Sequence, residues 1–328
     1  MSGTPRVIHL INPLWNAAGG SEARTLELYR ELQTRGPVTL WSEFEPDARL
    51  ASRYPIHRIR SRRFRFPLTG TFVFVGVYRS AGKWVHLAVP RRVIVVYNTP
   101  DPDLFERQWH RLSRFGTRAV EVVYASNWLQ RSAGRPGVVH PSLIDLDRFR
   151  PDDPGGRRGD RPFVVGRLSR DIAEKHHPVD PALYRCLAAD GIRVRIMGGR
   201  SLEPAIGQVE GIELLPECSQ DPVAFLQGLD CFVYRTADHL TEAFGRVVIE
   251  AMACGLPVVC HQHGGYTEVI EAGKNGFLFE TNAEAMTIIQ RLRSDPRLRE
   301  SIGNAARETV GQLLSPERRR AMADFYLG

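Results

Sequence analysis

The chain has 328 residues, of which 43% are hydrophobic and 25% charged, a composition typical of a globular protein with room for two domains of about 150 residues each. It excludes a disordered chain, a collagen-like chain and a disulfide miniprotein. No apolar run approaches the roughly 18 residues of a spanning helix, and no signal peptide is expected. Five cysteines without Cys-x-x-Cys spacing predict free thiols in a reducing compartment and no zinc site.

The net charge of +7 is unevenly distributed. Residues 1–150 hold 23 Lys and Arg against 12 Asp and Glu, a net charge of +11, whereas residues 151–328 carry −4. A basic first half favours an anionic partner, such as a membrane surface, an acidic glycan or nucleic acid. Nearly all the cations are arginine, so GC-rich coding without any function also explains the excess.

Short apolar runs alternate with helical stretches through the first half of the chain. Residues 6–11 predict a strand, and a loop at 12–20 leads to a helix for which Ser21 is a candidate cap. The alternation predicts a doubly wound α/β domain over residues 1–150. Further strands are predicted at 38–41, 72–77, 93–97, 120–124 and 138–140.

The same alternation restarts after residues 151–161, whose Pro, Gly and charge predict a linker. A second, mainly parallel sheet is therefore predicted in a domain over residues 151–315. A polar helix at about 316–328 is a candidate to pack back on the first domain. The strands of this half are predicted at 163–166, 194–197, 212–215, 231–234, 258–260 and 277–279.

The candidate site residues lie in loops after strands, where open parallel sheets bind ligands beyond the carboxyl ends of their strands. Gly19 and Gly20 follow the first strand and precede a helix, so their backbone N–H groups can meet a phosphate. A Gly-Gly pair alone is weak evidence for this, and a plain turn is the alternative. Arg167 ends a predicted strand and Lys175 follows eight residues later. Two cations at that place can neutralise a diphosphate, and an exposed surface pair is the alternative.

Residues 242–259 (EAFGRVVIEAMACGLPVV) give the strongest signal. Glu242 precedes a predicted helix that Phe244, Gly245 and Arg246 open, and Glu250 lies about two turns further along. One carboxylate in the loop and one in the helix can accept hydrogen bonds from different hydroxyls of a single polyol ligand. A structural role for both glutamates is the alternative, which the apolar character of the helix disfavours.

This segment resembles the Glu-x7-Glu signature of retaining glycosyltransferase family four, whose members have the GT-B fold. The resemblance continues, in family order, through Gly19-Gly20, residues 144–151, residues 166–168, Lys175 and residues 264–278. It implies an α/β architecture of two Rossmann-like domains facing a central cleft. Residues 1–150 would form the acceptor side and residues 151–315 the nucleotide-sugar side.

The resemblance also implies a function: metal-independent, retaining transfer of a sugar from a UDP- or GDP-linked donor to a glycan or lipid-linked acceptor, in envelope or extracellular polysaccharide biosynthesis. It implies no cofactor and no nucleic acid, and a cytoplasmic location. Glu242 would contact the donor sugar, while Arg167 and Lys175 would hold the diphosphate. The other donor or phosphate contacts would come from Gly19, Gly20, Phe244, Gly245, Arg246 and Glu250.

Three positions depart from the family pattern on the acceptor and donor-sugar sides. Asn98-Thr99 stands where the family often carries a histidine, Pro141-Ser142 replaces Asn-Gly, and Tyr234-Arg235 replaces Pro-Ser. Two alternatives therefore stay open. One is a transferase acting on a soluble small-molecule or natural-product acceptor, and the other is a catalytically inactive protein that binds sugar nucleotides.

Residues 57–66 (HRIRSRRFRF) interleave arginine with apolar side chains. Such a stretch is a candidate contact with the anionic inner face of a membrane, where cations meet headgroups and aromatic rings insert. A solvated edge strand is the alternative, and no nucleic-acid motif accompanies the stretch. The five arginines are Arg58, Arg60, Arg62, Arg63 and Arg65.

Overall fold

The computed structural model describes residues 7–77, 82–113, 119–152 and 161–328, and the chain divides into two compact units. Unit 1 spans Met1–Leu143 together with Ser315–Gly328, and unit 2 spans Ile144–Leu314. The sequence places the domain boundary at residue 150, whereas the segment that begins at Ile144 already lies in unit 2. The predicted linker at 151–161 falls almost wholly outside the described residues.

Unit 1 is built on a seven-stranded parallel sheet with the strand order β3-β2-β1-β4-β5-β6-β7. Helices cover both faces of such a sheet, so its inner strands are continuous apolar runs rather than alternating ones. Val93–Tyr97 is buried throughout, and Leu10 faces Leu40 on one side and Val73 on the other. The strands are β1 (Ile8–Ile11), β2 (Val38–Ser42), β3 (Ile56–Arg58), β4 (Thr71–Val75), β5 (Arg92–Tyr97), β6 (Val120–Tyr124) and β7 (Val138–Val139).

Side-chain caps begin several helices of unit 1 where the sequence offers an acceptor. Asp101 and Ser126 accept hydrogen bonds from the backbone N–H groups of Leu104 and Leu129. The first helix begins at Gly20 with Gly19 as its N-cap residue and no side-chain cap. The prediction of Ser21 as a cap is therefore wrong. The helices are α1 (Gly20–Gln33), α2 (Ala48–Ala51), α3 (Pro102–Leu112) and α4 (Asn127–Ala133).

Unit 2 carries a six-stranded parallel sheet with the order β10-β9-β8-β11-β12-β13. The order reverses between β8 and β11, and this switch point is where open α/β sheets bind ligands. The strands are β8 (Val164–Leu168), β9 (Arg193–Met197), β10 (Ile212–Leu215), β11 (Cys231–Tyr234), β12 (Val258–His261) and β13 (Phe277–Phe279). The helices are α5 (Asp180–Ala189), α6 (Glu203–Ile206), α7 (Pro222–Gln227), α8 (Arg246–Ala253), α9 (Asn282–Ser294) and α10 (Pro296–Leu313).

Helix α10 fixes the start of unit 2 to the end of α8. Its Arg307 guanidinium donates hydrogen bonds to the backbone carbonyls of Leu146, Phe149 and Ala253. Residues from two distant parts of the chain therefore share one cation, which places the segment from Ile144 against the helix that carries Glu250.

The last helix, α11 (Pro316–Leu327), belongs to unit 1. Its Arg319 pairs with Glu31 of α1 at 2.6 Å between Nη2 and Oε2, and Tyr326 is buried against the ring of His140. No helix of the described residues is long and apolar enough to cross a membrane.

Two glycines of α10 form a matched pair for a stability test. A Cβ atom on Gly303 would collide with the carbonyl oxygen of Gly255, whereas a Cβ atom on Gly311 would meet no heavy atom within 4 Å. We expect Gly303→Ala to lower the free energy of unfolding by about 1–3 kcal/mol through overpacking. Gly311→Ala should raise it by about 0.5–1 kcal/mol, because alanine is the better helix former. Denaturant unfolding of both variants checks this, and equal stabilities would contradict the packing of α10 on Gly255.

Candidate functional site

Two loops of unit 2 leave the sheet side by side at its switch point. The loop after β8 leads to a short turn at Ala173–Lys175, and the loop after β11 carries Glu242 to the start of α8. Because β8 and β11 are parallel neighbours, both loops leave at the carboxyl edge of the sheet. The structure thus brings together Lys175 and Glu242, which are 67 positions apart in the sequence.

The Glu242 carboxylate is held by two side chains. The Tyr234 hydroxyl donates a hydrogen bond to Oε1 at 2.7 Å, and the Lys175 ammonium group pairs with the same oxygen. The Lys175 and Glu242 side chains are only 13% and 17% exposed, so water screens the pair weakly. The sequence places both residues in the site, and Tyr234 is an addition that the sequence shows only as a departure from the family pattern.

The protonation states in this cluster follow from burial and charge. Burial would raise the pKa of Glu242, but the charge and hydrogen bonds of Lys175 and Tyr234 outweigh it and lower the pKa below its ordinary value. Burial and the adjacent carboxylate raise the pKa of Tyr234 well above its usual range. At neutral pH the carboxylate is therefore ionised and the phenol is a hydrogen-bond donor.

Glycines let the Glu242 loop pack closely on its neighbours. Gly245 has φ of +73° at the N-cap of α8, and a Cβ atom there would lie 2.9 Å from Cβ of Tyr266. Gly264 has φ of +119°, and the following N–H of Gly265 donates to the Glu242 carbonyl at 2.8 Å. The Gly265 N–H thus fixes the backbone of Glu242, while the Glu242 side chain faces Lys175.

Glu250 and Arg246 pair with each other on one face of α8. Arg246 Nε donates to Glu250 Oε1 at 2.8 Å, as expected for residues four apart on a helix. Both side chains are largely buried, and Phe244 just before the helix is buried as well. A contact of Glu250 with a ribose, or of the amides near Phe244 with a donor, stays a prediction.

Arg167 is placed differently from its predicted position. Strand β8 continues to Leu168, so Arg167 lies inside the strand rather than at its end, and its side chain is 0% exposed. The guanidinium group donates to the carbonyl of Arg235 at 2.7 Å and to the carbonyl of Lys175, and it faces the Tyr234 ring at 4.8 Å. In this structure Arg167 braces the backbone of both site loops, and its contact with a diphosphate stays a prediction.

Asp180 and Arg235 complete this brace, and neither is predicted from the sequence. Asp180 Oδ1 accepts a hydrogen bond from Arg235 Nε at 2.8 Å, and its Oδ2 lies 3.5 Å from Arg167 Nη1. One buried carboxylate therefore serves two buried guanidinium groups, which require such a partner. The only sequence signal is the arginine at position 235, where the family pattern has a small residue.

Two histidines hold the loop in front of Glu242. His177 Nε2 lies 3.1 Å from Asp238 Oδ1, and His263 Nε2 lies 2.7 Å from Thr241 Oγ1. The ring of His261 lies near both, and burial together with Arg235 lowers its pKa, so it is neutral at pH 7. Sequence reasoning missed these contacts because nothing in the spacing of the histidines marks them.

The glycine loop of unit 1 lies next to a carboxylate. A Cβ atom on Gly19 would lie 2.6 Å from Cδ of Glu22, whereas Gly20 faces open space. A carboxylate in the first turn complements the helix dipole and competes there with a phosphate, so the phosphate role of Gly19 and Gly20 stays a prediction. Asn98 Nδ2 donates to Ser21 Oγ at 3.2 Å in the same region, and Asn98 Oδ1 is buried without a hydrogen-bond partner among the described residues.

The arginine-rich stretch forms edge strand β3 followed by a tight turn. The backbones of Arg60 and Arg65 pair across the turn, Ile59 and Phe66 are buried, and Phe64 at the tip is 75% exposed with φ of +51°. Arg58 pairs with Glu45 at 3.2 Å. The four other arginines are exposed around the tip: Arg60, Arg62, Arg63 and Arg65.

No disulfide joins the five cysteines, all of which lie in described ranges, and three of them are buried. Within the same ranges, no group of three or more His, Cys, Asp or Glu side chains is arranged to hold a metal ion. Independence from metal stays a prediction for solution measurements.

One segment of the chain is similar to a described protein family. Residues 190–309 match the family model of the glycosyl transferases group 1, and this segment contains Glu242 and Glu250. The D-inositol 3-phosphate glycosyltransferase of Streptomyces bingchenggensis is 30% identical over 229 residues, which are 58% of this chain and 47% of that protein. The protein of the same name from Mycobacterium tuberculosis is 29% identical over 223 residues, 58% and 45% of the two chains. The chain thus spans about half the length of the curated relatives it matches.

Solved structures resemble the chain over nearly its whole length. Anabaena HepE in complex with UDP-glucose superposes with a TM-score of 0.73 at 16% identity, covering 98% of this chain and 99% of that one. A glycosyltransferase from Rickettsia africae gives 0.74 at 16% identity, covering 99% and 98%. WaaG, a glycosyltransferase involved in lipopolysaccharide biosynthesis, gives 0.68 at 15% identity, covering 98% and 100%. The chain therefore has the GT-B fold, as predicted. The match of residues 190–309 to the group 1 glycosyl transferases agrees with the predicted resemblance.

Proposed function

We propose that the protein is a retaining glycosyltransferase that moves a sugar from a nucleoside diphosphate donor to an acceptor hydroxyl. The observation that carries this proposal is the buried group of Lys175, Glu242 and Tyr234 at the switch point of unit 2. An ammonium group beside an ionised carboxylate supplies what a diphosphosugar needs: a cation for the phosphates and an acceptor for sugar hydroxyls. The group 1 match over residues 190–309 supports the same reading.

The proposed reaction uses no protein nucleophile. The bond between the anomeric carbon and the phosphate oxygen breaks, and the acceptor oxygen attacks the same face of the sugar. The leaving phosphate takes the acceptor proton, while Lys175 and the N-terminus of α8 offset its growing negative charge. Glu242 orients the sugar through its hydroxyls. A protein cation in this place makes a divalent metal unnecessary, so we propose a metal-independent enzyme.

We propose a UDP- or GDP-linked donor and a glycan or lipid-linked acceptor, in envelope or extracellular polysaccharide assembly. The resemblance to HepE, solved with UDP-glucose, supports a UDP-sugar. WaaG, involved in lipopolysaccharide biosynthesis, supports an envelope acceptor. A soluble phosphorylated polyol is the second candidate acceptor, because the relatives at 29–30% identity are D-inositol 3-phosphate glycosyltransferases.

We also propose a cytoplasmic enzyme that contacts the inner face of the membrane. The turn between Arg60 and Arg65 presents an exposed aromatic ring at its tip with four exposed arginines around it. Such a surface matches an anionic bilayer in both charge and polarity.

Nucleotide binding should survive chelation of metal ions but not the loss of Lys175. We expect UDP or GDP to bind in EDTA, and Lys175→Ala to weaken binding by about 1.5–3 kcal/mol because a charge-assisted contact is lost. Lys274→Ala is the matched control, since that lysine is exposed and pairs with Glu271. Calorimetry measures all three proteins. Binding that requires magnesium or manganese would contradict metal independence. Binding that is unchanged in Lys175→Ala would remove Lys175 from the site.

Substitutions of Glu242 and Glu250 should impair different steps, sugar transfer and nucleotide binding respectively. Glu242→Gln should lower turnover while the bare nucleotide still binds, and Glu250→Gln should weaken the nucleotide itself, each by about 1–3 kcal/mol. Nucleotide affinity is measured beside the rate of sugar transfer or slow donor hydrolysis, with the melting temperature as a check on folding. If Glu242→Gln abolishes nucleotide binding while Glu250→Gln leaves it intact, the roles assigned to the two glutamates are reversed. A wild-type protein that binds UDP- and GDP-sugars but never cleaves them would be an inactive binder, and the transferase proposal would fail.

Binding to lipid vesicles should depend on electrostatic attraction between the exposed arginines and anionic lipids. Co-sedimentation is expected to rise with the fraction of anionic lipid and to fall with salt, since exposed charges are screened over about 8–10 Å at physiological ionic strength. Replacing Arg60, Arg62, Arg63 and Arg65 by Ser should abolish it. Binding that is absent at low salt, or that survives these replacements, would rule out the membrane contact.

A further inference from the structure

Unit 1 contains a cavity that the proposed transfer reaction does not use. It measures about 670 Å³, within the range of roughly 300–1,000 Å³ typical of small-ligand sites. Val7, Thr71 and Arg92 place it at the amino ends of β1, β4 and β5. The glycine loop after β1 leaves from the opposite, carboxyl edge of the same sheet. The cavity is therefore separate from the edge where an acceptor is expected.

Two polar side chains in the walls of this cavity, those of His9 and Trp41, already have hydrogen-bond partners. His9 Nδ1 lies 2.7 Å from Thr39 Oγ1, and its Nε2 lies 2.9 Å from the carbonyl oxygen of Thr69. Burial lowers the pKa of His9, so the ring is neutral at pH 7. Trp41 Nε1 donates to Thr39 Oγ1 at 2.8 Å. These two side chains therefore offer a ligand mainly their ring faces, and Phe66, Leu68 and Leu327 add apolar surface to the lining.

Exposed apolar residues adjoin this cavity. The described ranges leave seven large apolar side chains exposed, and four of them lie within residues 64–89, the segment that also supplies residues 66–71 of the lining: Phe64, Leu68, Leu87 and Val89. Leu68 lines the cavity, and the N–H of Val89 donates to the Leu68 carbonyl at 2.7 Å, so the two residues are neighbours. Isolated exposed apolar residues are ordinary, but several beside a cavity indicate a contact surface.

Two exposed arginines lie close to these apolar residues in the sequence. Arg65 and Arg91 are exposed, and Arg91 lines the cavity. Arg92 at the cavity wall donates two hydrogen bonds to the Glu121 carboxylate, at 2.5 and 2.6 Å, and faces the Phe325 ring. Its role is therefore structural. An apolar interior with an arginine-bearing mouth is complementary to a molecule that has an apolar chain and an anionic head.

We propose that this cavity binds one acyl chain of an anionic membrane lipid, with the lipid headgroup against Arg65 and Arg91. The binding extends the membrane contact proposed for the Arg60–Arg65 turn and is independent of sugar transfer. A chain drawn into the cavity would add apolar burial to a surface contact that otherwise depends on charge alone.

The test is photolabelling of the full chain with a lysophosphatidylglycerol that carries a diazirine at the end of its acyl chain. We expect labelled peptides to contain Trp41 or residues 66–71, and the lysophosphatidylcholine analogue to label them several-fold less. Leu68→Glu should reduce labelling about tenfold, because a carboxylate at the mouth removes apolar contact and repels the headgroup. Val138→Glu is the matched control, an exposed apolar position in edge strand β7, and it should label like the wild type.

Labelling spread evenly over the surface, equal labelling by both headgroups, or full labelling of Leu68→Glu would overturn the proposal. Circular dichroism of each variant confirms that it is folded, and Arg65→Glu gives a second, exposed position that should lower labelling in the same way. Replacing Arg62 and Arg63 by Ser separates the two membrane proposals. Labelling that persists while vesicle binding is lost supports a cavity distinct from the charged turn, whereas loss of labelling in step with vesicle binding would show surface adsorption alone.

Discussion

The arrangement of the site depends on a buried cation that holds two loops at once. Arg167 lies inside β8, and its guanidinium group donates to the carbonyls of Lys175 and Arg235, one in each of the two site loops. A guanidinium group without water is stable only beside a negative charge, and Asp180 supplies that charge to Arg167 and Arg235 together. Removing Asp180 would leave two buried guanidinium groups without their shared carboxylate.

The brace explains why Lys175 and Glu242 meet in a defined geometry. A lysine side chain is long and flexible, so holding its ammonium group on one carboxylate oxygen requires a fixed backbone. Arg167 fixes the backbone of Lys175 through its carbonyl, and the Gly265 N–H fixes the backbone of Glu242 in the same way. The lowered pKa of Glu242 is a result of this geometry, since burial alone would raise it.

Sequence reasoning succeeds where a signal is local. The strands at 120–124, 212–215, 231–234 and 277–279 have their predicted bounds, because buried parallel strands are short apolar runs between loop residues. It fails where partners come from distant segments. Strand β3 is short and half polar, and it is missed as a sheet member although an edge strand is among the alternatives for that stretch. Asp180 and Arg235 are 55 positions apart, and no periodicity connects them.

The return of α11 to unit 1 has a consequence for the order of folding. Unit 2 is one continuous stretch of chain, whereas unit 1 is assembled from two stretches on either side of it. Ala323 and Tyr326 belong to the same hydrophobic core as Leu10, Val73 and Ile94. During synthesis unit 2 can therefore fold before the last helix of unit 1 is made. Unit 1 is the unit whose hydrophobic core stays incomplete, with apolar surface exposed, until residues 315–328 have been added.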